Sequence, residues 1–308
     1  MRSKSTFPRS LQKGDVVGVA AVSGPVNDSD LEKGLEFIEG LGFKIEIGRS
    51  VYKQQDYLAG SDKDRIEDLN EFILNSMIRG IFFARGGYGS MRIISDVNYE
   101  AIKRDPKIMI GMSDLTALFM ATFQRCGVVT LAGPMPAGQI AAGLDSISKD
   151  FLIQALTQPL EHYQILGKFS SELKILRKGK ASGVLLGGCL TVLVSLLGTP
   201  YCPSFSDCVL FIEDVNEPPY RIDRMLTQMK LAGVFDQVSG VVIGHFSGDD
   251  AETARSTVER VVIDYTEPCS IPVISNYPHG HILPNITLPV GAFVKLETSE
   301  DETVFCLA

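Results

Sequence analysis

Lys107-Ile-Met-Ile-Gly111-Met-Ser113-Asp114-Leu-Thr-Ala-Leu118 starts as a short apolar run, passes through a glycine and a serine, and resumes in a helical pattern. Such a stretch reads as a strand, a sharp turn and a helix, with Ser113 on the turn. The same grammar recurs outward from it. Apolar runs at 15–22, 44–47, 80–84 and 128–131 each give way to Gly, Pro or polar residues and are candidate strands beside 107–110. Between them Leu31, Leu35, Ile38 and Leu41 recur at helical spacing, as do Ile66, Leu69 and Ile73 behind the capping pair Ser61 and Asp64. Five strands alternating with crossover helices predict an α/β fold whose first half is a doubly wound parallel sheet.

The second half carries strand-like runs at 209–213, 240–245, 273–276 and 292–297, and helical patterns near 189–197, 220–231 and 251–265. These predict a smaller α/β C-terminal domain. The stretch 157–180 fits neither pattern, with short apolar pieces, Gly167 and charged positions, so an N-terminal domain is expected over 1–160, a connection over 161–180 and the C-terminal domain over 181–308. No charge occurs from Ala181 to Ser206, yet the apolar centre at 184–197 spans only 14 residues and holds Gly187 and Gly188. It reads as a buried helix, too short to cross a bilayer.

Among its 308 residues 45% are hydrophobic and 21% charged, which excludes a disordered chain. Lys plus Arg total 29 against 37 Asp plus Glu, and the resulting net charge of −8 disfavours nucleic acid and anionic membranes as partners. A small-molecule or peptide ligand fits better. The basic first fifteen residues lead into no apolar run of signal-peptide length, and the six cysteines have neither CxxC nor metal-finger spacing. A cytoplasmic location with reduced thiols is the expectation, with no metal and no cofactor.

A hydroxyl on the turn at Ser113 projects from the carboxyl end of a sheet, where free helix N–H groups stabilise an oxyanion. Helix capping is the alternative role, and the second glycine of G-x-S-x-G is missing. A serine nucleophile needs a base, and only His162, His245, His279 and His281 exist. His162 falls in the connection and His245 ends an apolar run. His279-Gly280-His281 lies in a Pro- and Gly-rich loop, where either ring could serve; a paired-histidine metal site competes but lacks a third ligand. Val209-Leu-Phe-Ile-Glu213 sets a carboxylate at the end of an apolar strand, where an idle charge is costly. Asp214, Glu217 and Asp223 follow, each able to be solvated or paired with Arg221 or Arg224. Arg85-Gly86-Gly87-Tyr88-Gly89 closes another strand without the G-x-G-x-x-G spacing of a dinucleotide site. Its Gly87 N–H is a candidate oxyanion donor, a plain structural turn being the alternative.

With Ser23-Gly-Pro25, Tyr57-Leu-Ala-Gly60-Ser-Asp62, Leu186-Gly-Gly188, Phe211-Ile-Glu213-Asp214, Tyr220-Arg-Ile-Asp-Arg224 and Gly280-His281 added, the order and spacing of these segments resemble the LD-carboxypeptidases and their relatives, the microcin C immunity peptidases. The resemblance spans most of the chain. It implies a Rossmann-like N-terminal domain, a site between the domains, and a Ser-His-Glu triad with Ser113 as nucleophile, His281 as general base and Glu213 orienting it. It also implies oxyanion donors at Gly87 and Asp114, and a homodimer. The activity implied is that of a serine-type hydrolase that cuts the L,D-peptide bond and releases terminal D-alanine from cell-wall muropeptides, as in peptidoglycan recycling. Arg85, Tyr88 and Arg221 are candidate substrate contacts. Two departures stand out: Ala132 replaces a histidine common in relatives, and the chain has no tryptophan, which favours the cell-wall branch over hydrolysis of a peptidyl-nucleotide. The non-enzymatic alternative is a peptide-binding module.

Overall fold

A computed structural model describes residues 5–166, 173–300 and 303–308. Residues 167–172 of the expected connection lie outside them. The first sheet contains β1 (Val16–Ala20), β2 (Lys44–Ile47), β3 (Ile78–Phe83), β4 (Ile108–Gly111) and β5 (Thr130–Ala132), all parallel and ordered β2-β1-β3-β4-β5. Helices α1 (Asp28–Gly40), α2 (Asp62–Leu74), α3 (Ser90–Ile93), α4 (Tyr99–Arg104), α5 (Leu115–Cys126) and α6 (Ser146–Thr157) complete this half. Ser61 and Asp64 form the expected capping box on α2. The order reverses between β1 and β3, and ligands of doubly wound sheets bind outside the carboxyl ends of strands at such a switch point.

The second sheet holds β6 (Lys174–Arg177), β7 (Gly179–Cys189), β8 (Cys208–Val215), β9 (Gly240–Ser247) and β10 (Val273–Ser275), with β12 (Phe293–Thr298) and β13 (Thr303–Leu307) at one edge. Helices α7 (Leu190–Leu196), α8 (Pro219–Leu231) and α9 (Ala251–Thr266) pack on it. The apolar centre at 184–197 is corrected: its first six residues belong to β7, and only Leu190–Leu196 is helical. Gly187 and Gly188 have φ of +143° and +142°, and side chains there would overlap the Phe211 carbonyl and Thr116.

Two features join the sheets. Helix α5 is buried along Leu115–Thr122, between the first sheet and β7 and α7, so its sequence is apolar on every face. Each fully buried Leu or Met there contributes about 1.5–3 kcal/mol. The chain also crosses back: after β10 it runs through the histidine loop and enters the first sheet as β11 (Leu288–Val290), antiparallel to β5. Sequence periodicity did not reveal this three-residue strand. Its return lays the loop over the carboxyl end of β4.

Candidate active site

Ser113 follows β4 with φ +64°, in the left-handed region that disfavours side chains. Gly86 makes room for it: a Cβ there would stand 2.9 Å from Ser113 Cβ and 3.0 Å from Oγ. The capping alternative does not hold, because the α5 N-cap is Asp114 and, among the described residues, Ser113 Oγ makes no hydrogen bond. The N–H groups of Gly87 and Asp114 donate to no carbonyl or side chain among the described residues.

The Asp114 side chain, which sequence reasoning did not use, ties the turns around Ser113 together. It accepts from Ser23 Oγ at 2.5 Å and from Ser90 N at 2.8 Å, while Ser90 Oγ donates to the Asp114 carbonyl at 2.7 Å. Burial pushes its carboxyl above the usual range, against these hydrogen bonds. Buried Arg65 braces the same turns through the carbonyls of Val22 and Gly89.

From the second sheet, His281 Nδ1 lies 2.8 Å from Glu213 Oε2. Glu213 lies in the buried run of β8, which extends to Asp214, and is only 1% exposed. Gly280, at φ +133°, lets the loop pass over it: a Cβ there would stand 3.2 Å from Glu213 Oε2. Burial lowers the His281 pKa, but attraction and hydrogen bonding from Glu213, with Asp214 behind, outweigh it and leave the imidazole above its ordinary value. With Nδ1–H given to the carboxylate, Nε2 is the nitrogen that can take a proton. His279 is buried, donates Nδ1–H to the Ile286 carbonyl at 2.9 Å and packs edge-on to Phe211. Burial holds it below its ordinary value, so it is a neutral floor to the site.

Asn285 links the halves. Its Nδ2 donates to the Gly280 carbonyl at 2.6 Å and contacts Met112 Sδ at 3.6 Å, one residue before each of His281 and Ser113. A second link is Cys189 N–H to Thr116 Oγ1 of α5 at 3.0 Å. Glu213 and His281 thus touch directly; among the described residues Ser113 Oγ has no hydrogen bond to either, and the link runs from its neighbour Met112 to Asn285. Among the described residues Asp214 pairs with no arginine; it accepts from Thr191 N and Oγ1, both at 2.8 Å. Arg221 faces Glu217 at 3.8 Å, while exposed Tyr88 pairs with Tyr57 at 5.9 Å between ring centroids. His245 hydrogen-bonds through its backbone N–H to the His279 carbonyl, and His162 ends a short 3₁₀ turn, Leu160–His162. Among the described residues no group of three or more His, Cys, Asp or Glu is placed to hold a metal, and no helix is long and apolar enough to cross a membrane.

Family models agree with the two-sheet division. Residues 17–133 match the LD-carboxypeptidase N-terminal domain and residues 182–296 the LD-carboxypeptidase C-terminal domain. A probable murein peptide carboxypeptidase of Bacillus subtilis is 36% identical over 302 residues, covering 96% of this chain and 93% of that protein. The microcin C7 self-immunity protein of Escherichia coli is 29% identical over 325 residues, covering 96% and 94%. The crystal structure of muramoyltetrapeptide carboxypeptidase from Oxalobacter formigenes superposes with a TM-score of 0.82 at 27% identity, covering 95% of this chain and 98% of that one. Fold and sequence therefore define a two-domain α/β peptidase, a hydrolase. The chain belongs to the LD-carboxypeptidase family.

Proposed function

We propose that the protein is a serine-type LD-carboxypeptidase that removes terminal D-alanine from muropeptides. The observation that carries this is a left-handed Ser113 just after β4, with Asn285 contacting Met112 beside it and Gly280 beside His281, whose half-buried ring pairs with buried Glu213. Ser113 Oγ attacks the carbonyl of the L,D-bond while His281 Nε2 takes its proton, and Glu213 stabilises the imidazolium. The oxyanion rests on the N–H groups of Gly87 and Asp114. His281 then protonates the departing amine of D-alanine, and water, deprotonated by the same nitrogen, hydrolyses the acyl-enzyme. Six unpaired cysteines support a cytoplasmic location, and the family resemblance supports a homodimer.

The test is incubation of the pure protein with a muropeptide tetrapeptide, following D-alanine by mass spectrometry beside Ser113→Ala. Wild type should release D-alanine, and the variant should be slower by about 10⁴-fold or more. Undiminished release by the variant would sink the assignment. Cleavage of a peptidyl-nucleotide with the tetrapeptide untouched would move the reading to the immunity branch, and binding without release would leave a peptide-binding module.

A further inference from the structure

A peptidase that removes one terminal residue must sense a free carboxylate, whose carbon lies two bonds beyond the leaving nitrogen. Its recognition group must therefore border the oxyanion turn. Arg85 immediately precedes Gly86, whose Cα faces Ser113. It stands at the β1/β3 switch point, where Nη1 donates to the Pro25 carbonyl at 2.9 Å. A Cβ on Gly24 would stand 3.9 Å from its Nε, so the guanidinium lies along the Ser23-Gly24-Pro25 turn. The side chain is exposed, and among the described residues no carboxylate pairs with it.

Four other arginines of the segments described above have neighbours of their own. Arg92 grips Asp62 through Nε and Nη2, at 2.8 Å for each closest contact. Arg65 is buried against backbone carbonyls and Asp62. Arg221 faces Glu217, and Arg224 lies 5.9 Å from the ring centroid of Tyr220. On the carboxypeptidase reading given above, we infer that Arg85 holds the substrate's terminal carboxylate and so sets the demand for a free C-terminus. Pro25 fixes one edge of the planar guanidinium, and the other N–H groups offer the paired donors that a carboxylate accepts.

The experiment compares a tetrapeptide ending in D-alanine with the same peptide ending in D-alaninamide, for wild type, Arg85→Ala, Arg85→Lys, Arg221→Ala and Arg224→Ala. Wild type should prefer the acid. Arg85→Ala should lose about 10- to 100-fold in kcat/KM on the acid and cleave the two peptides at similar rates, the size expected for a charge-assisted hydrogen bond. Arg85→Lys should recover part of the preference. An unchanged acid-to-amide ratio in Arg85→Ala, or its collapse in Arg221→Ala or Arg224→Ala, overturns this inference alone. Cleavage of neither peptide by wild type overturns the carboxypeptidase reading and the inference with it.

Discussion

The two halves of the candidate site are built differently. At Ser113 the distinguishing feature is backbone geometry: a non-glycine residue at φ +64°, an Oγ with no hydrogen bond among the described residues, and clearance made by Gly86. Such a conformation costs about 1–3 kcal/mol and persists because the turn is held from several sides. At His281 and Glu213 it is charge: a 2.8 Å pair between residues 68 apart, one of them almost wholly buried, with Glu213 Oε1 lacking a hydrogen-bond partner among the described residues. A strained local turn and a desolvated long-range pair fail in different ways, so substitutions can tell them apart.

The largest effect is expected on the charged half. Glu213→Gln keeps the shape but removes the carboxylate that holds His281 in orientation, and kcat should fall about 10³- to 10⁴-fold. The pH dependence supplies the sign. His281 sits above its ordinary 6.5, so the pair's stability is fully present below the unfolded value and is lost as pH rises through the folded one. The acid limb of kcat/KM should shift to lower pH in the variant, and its melting-temperature deficit against wild type should be larger at pH 6 than at pH 9. Burial lowers His279 and the Glu213 charge partly offsets this, so loss of that charge in the variant depresses His279 further and adds to the deficit at low pH in the same direction. An unmoved acid limb would mean that Glu213 does not set the base.

A smaller effect is expected on the strained half. Gly86→Ala places a methyl 2.9 Å from Ser113 Cβ, and Gly86 has no positive φ, so the change is a local push on the nucleophile. A displacement of the attacking oxygen approaching 1 Å costs about 10²-fold in rate. We expect that loss in kcat with an unaltered acid limb, which steady-state kinetics across pH would check. A shifted limb would show that the push reaches His281.

This division also explains what the sequence made legible. The strand, turn and helix around Ser113 are contiguous, so apolar period and glycine placement were enough to find them. Glu213 stood out because a charge ending an apolar strand is costly. Residue types left His279 and His281 equivalent; the order of glycine and histidine in the resembling motif separated them, and the structure gives the carboxylate contact to His281. The end of β7, from 184 to 189, reads as helix because a strand buried on both faces has no alternation to read. Asn285 and the side chain of Asp114 stayed hidden, since their partners Met112 and Ser23 are 173 and 91 residues away.

The smallest effect concerns stability and isolates the backbone from the chemistry. Neither Ser113→Ala nor Ser113→Gly can carry out nucleophilic attack, so activity does not distinguish them. Their backbones do. Alanine keeps a Cβ at φ +64°, whereas glycine accepts that conformation without penalty, so the glycine variant should be the more stable by about 1 kcal/mol, or about 2 °C in a chain of this size. Ser195, exposed within α7, supplies the opposite case, because in a helix glycine is worse than alanine by a similar amount. The order of melting temperatures should therefore invert between the two positions. If Ser113→Gly melts below Ser113→Ala, as expected at Ser195, the left-handed turn does not hold the serine in solution, and both halves of the site would depend on side-chain contacts alone.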